Sequence, residues 1–360
     1  MATTEEQQDI ENEEKELETG ARDAAEEEDN VENDGNSAGY EEEEEALSGS
    51  RKIGIVGSGL IGRSWAMIFA SAGYTVSLYD IEFKQVEDAI EDIKKQLHDL
   101  YRQGLLRGDL SVEEQLLLIT GSNDLGETVT GAQHVIECVP EKLPLKEKVF
   151  KQIEQFADDH TVLSSSTSCI PASRFTEGLK RRNQCIVTHP VNPPYHVPLV
   201  EIVPSPWTDE DIVLRTRKLL QEIGQVPVTL KNELPGFVLN RIQYSIINEC
   251  YKLVAGGVMT AEDVDKVMTA GLGMRYAFLG PFEVMHLNAE GFGNYIERYG
   301  PTIRTVSNTF GPPPTFIGPG TEKVKKQLED LIPLDQLEER RQLRDAKVAA
   351  LSKLKRDLNS

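Results

Sequence analysis

A glycine-rich turn near residue 60 constrains the fold of this chain more than any other feature of its sequence. Gly57, Gly59 and Gly62 fit the pattern G-x-G-x-x-G. The turn follows a short β-branched run at residues 52–57 and precedes a stretch of helical composition at residues 60–72. A strand that runs through such a turn into a helix begins a parallel βαβ unit, and in that context the pattern is typical of a dinucleotide-binding site.

The pattern predicts a role for each position of the turn. Gly57 permits a tight bend, Gly59 lets the backbone approach a pyrophosphate, and Gly62 lets the helix pack closely on the sheet. Leu60 and Ile61 begin the helix, where free backbone N–H groups can bind phosphate. A glycine turn that binds no ligand is the alternative interpretation.

Asp80 is the second residue of the predicted nucleotide site. It closes a strand at residues 74–79, 18 residues after Gly62. A carboxylate there can accept hydrogen bonds from the adenosine ribose and repels a 2′-phosphate, and neither Ile81 nor Glu82 can hold such a phosphate. The sequence therefore favours NAD over NADP, unless Asp80 only caps the next helix.

Strand and helix patterns alternate to about residue 230. Further strands are predicted at residues 116–120, 134–139, 161–165, 186–189, 199–203 and 226–230, with helices at 144–157 and 209–223. The charged stretch 83–108 is predicted to be an inserted helical hairpin. The pattern indicates an α/β fold with an N-terminal Rossmann-type dinucleotide-binding domain at residues 51–234.

The character of the sequence changes on both sides of this domain. Residues 235–330 contain no convincing strand and are predicted to form an all-α C-terminal domain, and residues 331–360 a charged peripheral helix. Residues 1–50 hold 20 acidic and 2 basic residues and almost no large apolar ones. Such a segment cannot bury enough apolar surface to offset its ordering entropy, so it is predicted to be a disordered acidic tail.

Charge and cysteine spacing exclude several classes of function. Residues 51–360 carry a net charge of only −4 and no basic block, so no nucleic-acid partner is expected. No apolar run approaches the ~18 residues of a membrane span, and without an apolar core in residues 1–50 no signal peptide is expected. The four cysteines (Cys138, Cys169, Cys185 and Cys250) lack zinc-ligand spacing, so we expect no metal and a reducing, cytoplasmic location.

A histidine and a glutamate are candidates for the chemical centre. Of the six histidines (His98, His134, His160, His189, His196 and His286), His189 ends a predicted strand whose partner strand contains Glu201. Both lie six residues from Tyr195, so a hairpin centred there pairs them. A histidine supported by a carboxylate suits the general base of an alcohol oxidation. A purely structural histidine is the alternative.

Several motifs in order resemble the 3-hydroxyacyl-CoA dehydrogenase family across residues 51–290. They are the glycine turn, Ser166-Thr167-Ser168, His189-Pro-Val-Asn-Pro193, Glu201, and Pro235-Gly-Phe-Val-Leu-Asn240-Arg241. The resemblance implies that His189 is the general base and Glu201 its partner. It also implies that Ser168 and Asn240 position the substrate, that Glu141 and Lys146 contact the cofactor, and that the chain is a homodimer formed through the helical domain. Ser168 as a helix cap, Asn240 as a buried polar residue and Lys146 as a solvated side chain are the structural alternatives.

One departure from fatty-acyl members of the family concerns the substrate. The segment GLGMRYAFLGP at residues 271–281 places Arg275 before Gly280-Pro281, where those members have a small or proline-containing stretch. A guanidinium can bind a carboxylate through two hydrogen bonds, so Arg275 is predicted to hold the carboxylate of a small hydroxy acid. Carnitine dehydrogenases look similar at this point, and an interdomain or dimer contact is the alternative.

These observations together predict an NAD-dependent dehydrogenase that oxidises a secondary alcohol on a small hydroxy acid. A 3-hydroxyacyl-CoA or carnitine dehydrogenase remains an alternative within the same class. An abundant structural protein with little turnover, or an interaction protein that acts through its acidic tail, are alternatives from other classes.

Overall fold

An eight-stranded sheet organises the first part of the chain in the computed structural model, which describes residues 51–359. The predicted acidic tail at residues 1–50 lies outside the described residues. The strands are β1 (Lys52–Val56), β2 (Thr75–Tyr79), β3 (Ile119–Ser122), β4 (His134–Glu137), β5 (Val162–Ser165), β6 (Cys185–Pro190), β7 (Leu199–Pro204) and β8 (Val226–Thr229).

The strand order is β3-β2-β1-β4-β5-β6-β7-β8. Neighbouring strands from β3 to β6 are parallel, β7 is antiparallel to β6, and β8 is parallel to β7. The order reverses between β1 and β4, which creates the crevice where ligands bind in open α/β sheets. This sheet confirms the predicted Rossmann-type fold class.

Seven α-helices accompany the sheet within the described residues. They are α1 (Leu60–Ser71), α2 (Phe83–Arg102), α3 (Val112–Leu117), α4 (Leu125–Val129), α5 (Leu143–Ile153), α6 (Ser173–Thr176) and α7 (Glu210–Glu222). The predicted helical insertion at residues 83–108 contains one helix, the 20-residue α2, and the short helix α3 begins only at Val112, beyond the predicted end of the insertion. Gly73 follows α1 with a φ of 80°, a left-handed conformation that glycine adopts without strain and that ends the helix.

One predicted strand begins later than the sequence suggested. The pattern at residues 116–120 predicted a strand, but α3 extends to Leu117 and β3 begins at Ile119. The reason is a capping box, in which the hydroxyl of Ser111 accepts from the N–H of Glu114 and the Glu114 carboxylate accepts from the N–H of Ser111. This cap starts a helix, so Leu116 and Leu117 are helical and Leu118 ends the helix.

The remaining elements form a helical region, defined here as residues 235–359. Its helices are α8 (Leu239–Ala255), α9 (Ala261–Val267), a π-helical turn (Met268–Leu272), α10 (Gly273–Tyr276), α11 (Pro281–Leu287), α12 (Phe292–Ser307), α13 (Pro319–Leu331) and α14 (Leu337–Asn359). No strand occurs in this part of the described chain, as the sequence predicted. Ala349 of α14 is buried in the core of the sheet, which anchors this charged terminal helix.

Two hydrophobic clusters cover the two faces of the sheet. One contains Trp65 and Phe69 of α1, and the other contains Phe150 of α5 and Phe175 of α6. Adjacent residues of one strand point to opposite faces, and the neighbours Val135 and Ile136 of β4 accordingly belong to different clusters. The sheet is therefore buried on both sides, which leaves its strand ends as the places for a ligand.

Three further observations concern residues 51–359. None of their helices is both long and apolar enough to cross a membrane. Their His, Cys, Asp and Glu side chains form no group of three that could hold a metal ion. All four cysteines are free thiols, and burial raises the pKa of Cys138 to about 12.

Candidate active site

The predicted site residues gather at one edge of the sheet. The glycine turn follows β1, Asp80 follows β2, Glu141 follows β4, Ser168 follows β5, and His189 lies near the end of β6. These five strands are parallel, so their carboxyl ends meet at the same edge. Residues that are far apart in the sequence are thereby brought to one crevice.

The glycine turn has the backbone geometry that a nucleotide site needs. Gly57 has a φ of 112°, and a side chain there would meet the backbone of Cys138 at 2.8 Å. A side chain on Gly62 would lie 1.9 Å from the carbonyl oxygen of Gly57, so this glycine permits the close contact of helix and turn. A side chain on Gly59 would meet no atom within 4 Å, which leaves open space for a phosphate. Leu60 and Ile61 begin α1 beside that space.

A cavity of about 480 Å³ lies beside the turn. It combines polar groups from Asp80 and Gln85 with apolar walls, as sites for flat heterocycles commonly do. The residues that line it include Gly57, Gly59, Tyr79, Asp80, Ile81, Gln85, Leu125, Cys138, Val139, Leu145 and Val149. The cavity therefore fits the adenosine half of a dinucleotide.

Asp80 is held in place by the turn itself. Its Oδ2 accepts hydrogen bonds from the backbone N–H and from the hydroxyl of Ser58, both at 2.9 Å. Its other oxygen receives no hydrogen bond from the described residues, so it can accept one from a ribose hydroxyl. The fit of turn, cavity and carboxylate indicates the residues that would hold NAD.

His189 and Glu201 are paired as the hairpin symmetry predicted. They are directly opposite in the antiparallel ladder of β6 and β7, and His189 Nδ1 lies 2.8 Å from Glu201 Oε2. Both side chains are buried. No group among residues 51–359 bonds His189 Nε2, which leaves this nitrogen able to exchange a proton.

Glu201 also contacts the start of the helical region. Its Oε1 accepts hydrogen bonds from the backbone N–H groups of Val238 and Leu239 at 2.9 and 2.8 Å. Burial opposes ionisation of this carboxyl, but the hydrogen bonds from His189, Leu239 and Val238 outweigh it and lower the pKa of Glu201. Glu201 is thus an anion at neutral pH that joins the histidine to α8.

Asn240 and Ser168 meet through the backbone. The Asn240 side-chain amide donates to the carbonyl oxygen of Ser168 at 2.7 Å. The hydroxyl of Ser168 is 3.4 Å from Glu141 Oε1, and this oxygen also accepts the Ser168 N–H at 3.1 Å. The Asn240–Ser168 hydrogen bond therefore links helix α8 of the helical region to the loop that follows β5 of the sheet.

Glu141 and Lys146 belong to an ionic cluster in which Lys146 and Glu137 are buried and Glu141 is 38% exposed. Lys146 is 1% exposed, and its ammonium group lies 3.0 Å from both oxygens of Glu137 and 3.2 Å from Glu141 Oε2. Glu137 also accepts from the hydroxyl of Ser165 and the N–H of Val139. Lys146 thus orients Glu141, and its predicted direct contact with the cofactor stays a prediction.

Arg275 is separate from these contacts. It lies on α10, is exposed, and forms no side-chain hydrogen bond or ion pair with any residue from 51 to 359. Its side chain is therefore available to an anionic ligand, and its predicted role in substrate binding stays a prediction.

Three residues near the site were not singled out from the sequence. Ser58 occupies a variable position of the glycine motif, and Phe237 lies inside the Pro-Gly-Phe segment. Glu137 carried the clearest signal, since it is an acidic residue in an otherwise apolar strand nine positions before a lysine. Buried charges are paired, so these two residues could have been predicted to meet.

Comparison with known proteins shows which family this chain resembles. Residues 52–233 match the NAD binding domain of 3-hydroxyacyl-CoA dehydrogenase, and residues 236–309 match its C-terminal domain. A lambda-crystallin homolog of Homo sapiens is 52% identical over 312 residues, which is 86% of this chain and 98% of that protein. An L-carnitine dehydrogenase of Oceanobacillus iheyensis is 33% identical over 257 residues, 71% of this chain and 82% of that protein.

A solved structure has the same fold. It is 5-formyl-3-hydroxy-2-methylpyridine 4-carboxylic acid 5-dehydrogenase, an NAD⁺-dependent dismutase. The TM-score is 0.73 at 25% identity, and the match covers 86% of this chain and 99% of that chain. With both family domains matched and a nucleotide site that fits NAD, this chain belongs to the 3-hydroxyacyl-CoA dehydrogenase family of NAD-dependent oxidoreductases that act on CH–OH groups.

Proposed function

We propose that this protein oxidises L-gulonate to 3-dehydro-L-gulonate with NAD. The motifs at residues 164–169, 189–194 and 271–281 resemble those of lambda-crystallin, an L-gulonate 3-dehydrogenase, and the identity to its human homolog supports the comparison. The observation that carries the proposal is the buried His189–Glu201 pair, 2.8 Å apart, at the carboxyl edge of the sheet.

The proposed chemistry assigns a task to each residue. Nε2 of His189 takes the proton of the C3 hydroxyl, and Glu201 stabilises the imidazolium that results. Bound NAD supplies the acceptor for the hydride that leaves C3. Ser168 donates its hydroxyl hydrogen to the substrate oxygen, and the Asn240 side-chain amide holds the Ser168 segment by donating to the backbone carbonyl oxygen of Ser168.

Arg275 is the proposed contact for the substrate carboxylate. Its exposed guanidinium has no partner among residues 51–359, and two parallel hydrogen bonds to a carboxylate would satisfy it. This assignment favours a small hydroxy acid over a coenzyme A thioester, which has no carboxylate beside the reacting carbon.

Carnitine is the second candidate substrate, because it also carries a carboxylate and because an L-carnitine dehydrogenase is among the relatives. A structural protein with little turnover is the candidate from another class, suggested by the lambda-crystallin relatives. The intact His189–Glu201 pair favours an enzyme over a structural protein.

A substrate panel tests the proposal. L-gulonate, L-carnitine and a short 3-hydroxyacyl-CoA are each oxidised with NAD while NADH absorbance is recorded, and L-gulonate is expected to give the highest kcat/KM. His189→Asn is expected to lower kcat by at least ~100-fold, the usual contribution of a general base, without weakening NAD binding. Near-normal turnover by this variant would remove His189 from the mechanism. If the wild type turned over none of the three substrates, the result would favour the structural protein.

A homodimer is part of the same proposal. The family resemblance implies it, and the surface of α12 supports it. Ile296, Tyr299, Ile303 and Val306 are all exposed and follow one another at intervals of three or four residues, so they lie along one face of the helix. An exposed apolar stripe of this kind is typical of a protein–protein contact.

A further inference from the structure

Phe237 has an unusual backbone conformation beside the proposed catalytic pair. Its φ is 50°, and among the described residues only Phe316, with a φ of 55°, is another non-glycine residue in this left-handed region. The side chains of bulky residues clash with the backbone there, so such a conformation persists only where the surrounding structure enforces it. Strain of this kind is concentrated at functional sites.

The ring of Phe237 contacts one member of the pair. Phe237 is fully buried, with 0% exposure, and its ring centroid lies 5.8 Å from that of His189 at an angle of 53°. An aromatic ring packed in this way restricts the rotation of the imidazole that it touches. The ring therefore fixes one side of His189, while the hydrogen bond to Glu201 fixes its Nδ1 edge.

The backbone turn at Phe237 orients two N–H groups towards Glu201, the other member of the pair. Gly236 is also left-handed, with a φ of 77°, and the Phe237 N–H closes the turn by donating to the carbonyl oxygen of Leu234 at 3.0 Å. The next two N–H groups, of Val238 and Leu239, then both donate to Glu201 Oε1. The left-handed turn thus sets the direction of the amides that hold Glu201.

We propose that Phe237 is a positioning residue for the reaction, because its ring orients His189 and its left-handed backbone turn aims two amides at Glu201. The inference rests on the proposed function, in which these two residues transfer the proton. The competing explanation is that Phe237 only fills the core, since it belongs to the cluster on one face of the sheet. The two differ in whether Phe237 affects the rate of chemistry in each active enzyme molecule.

A pre-steady-state experiment separates positioning from core filling. The full chain is mixed with saturating NAD and L-gulonate, or with the best substrate of the panel, and the first turnover of NADH formation is followed by stopped flow. The amplitude reports the fraction of active enzyme, and the rate constant reports the chemistry of that fraction. Phe237→Leu and Phe237→Met keep an apolar side chain of similar volume and remove the aromatic face.

Both Phe237 variants are expected to lower the rate constant by about 10- to 100-fold, the loss caused by a small misplacement of a reacting group. KM for NAD is expected to change by less than about twofold, because the glycine turn is untouched. Phe316→Leu is the matched control: Phe316 has the same left-handed backbone, its ring packs on Tyr251 at 4.7 Å, and the rate constant should not change.

Two outcomes overturn the inference. If the Phe237 variants lower only the amplitude, or nothing, Phe237 is a core residue. If Phe316→Leu slows the first turnover as much, the effect comes from a general loss of rigidity. His189→Asn is measured in parallel, and retention of the wild-type rate constant by that variant would overturn the proposed function itself rather than this inference alone.

Discussion

Glu201 determines which nitrogen of His189 can act as a base. Its two oxygens accept three hydrogen bonds, from His189, Val238 and Leu239, and its lowered pKa keeps it ionised at neutral pH. An ionised carboxylate only accepts hydrogen bonds, so the hydrogen of the neutral imidazole must be on Nδ1. Nε2 is then the nitrogen with a free lone pair, and it is the one to which no described residue is hydrogen-bonded.

Arg275 carries a prediction about substrate selection. Because its guanidinium is proposed to bind the substrate carboxylate, Arg275→Met should raise KM for L-gulonate by about 10- to 100-fold, the usual value of a hydrogen bond to a charged group. KM for NAD should stay within about twofold. Steady-state kinetics with each substrate varied in turn measures both constants.

The control for Arg275 is Arg340→Met. Arg340 is also exposed and lies on α14, and its replacement by methionine removes the same single positive charge from the chain. It should leave both Michaelis constants unchanged. Equal increases in KM for L-gulonate and for NAD in Arg275→Met would indicate a structural arginine instead.

The site could be predicted from sequence wherever symmetry or a motif determined a position. His189 and Glu201 are equidistant from Tyr195, and an antiparallel hairpin pairs such residues, so their contact followed from counting. The conformation of Phe237 could not be predicted, since a phenylalanine after glycine gives no signal for a positive φ. That conformation depends on the contacts of Phe237 with Leu234 and His189, and on the bonds of the next two residues to Glu201, which only the folded chain brings together.

The same distinction applies to the secondary-structure elements. Buried parallel strands are apolar runs bounded by turn residues, so β1, β4 and β5 were found from composition alone. β3 was misplaced because the apolar residues Leu116 to Leu118 suit a strand or a helix equally. The Ser111–Glu114 capping box decided between them, and its geometry becomes decisive only once the helix is formed.

Strands β4 and β5 carry a prediction about acid stability. His134 is buried in β4 beside Ser164 of β5, with 2.8 Å between Nε2 and the hydroxyl. Burial, with a smaller contribution from Arg215, lowers the pKa of His134 from 6.5 to about 3. Between these values the unfolded chain binds a proton that the folded chain does not, so the free energy of unfolding must fall as the pH falls below 6.5.

His134→Gln keeps a polar partner for Ser164 and removes this titration. From pH 6.5 to pH 5 the wild type is expected to lose about 2 kcal/mol more of its free energy of unfolding than the variant does. Urea titrations at the two pH values measure this difference. His160→Gln, which replaces an exposed histidine, should retain the wild-type dependence, and an equal loss in wild type and His134→Gln would contradict the assignment.

At the scale of the whole molecule, burial divides the described chain unevenly. The sheet is covered on both faces by two large clusters, whereas the third cluster, in the helical region, has only Val254, Ala261 and Val264 as buried members. Helix α12 has no buried residue at all, although it is amphipathic. A helix with an apolar stripe needs a partner surface, and a second copy of the chain is the partner that the family resemblance implies.

Ile303 tests this homodimer. It is 44% exposed in the centre of the apolar stripe of α12, so replacing it with glutamate costs the single chain little but places an unpaired charge inside the interface. A penalty of about 3 kcal/mol weakens association on the order of 10²-fold. Sedimentation at micromolar concentration should give about twice the 40.1 kDa chain mass for the wild type and a shift towards 40.1 kDa for Ile303→Glu.

Leu117→Glu provides the comparison that makes the result specific. Leu117 is 82% exposed at the end of α3, outside the helical region, so this variant adds the same charge to an apolar surface residue and should sediment like the wild type. Dissociation of both variants would indicate nonspecific charge repulsion, to which the acidic chain is prone at a formal net charge of −22. A wild type that sediments at 40.1 kDa would instead show that the stripe of α12 has no second copy as its partner.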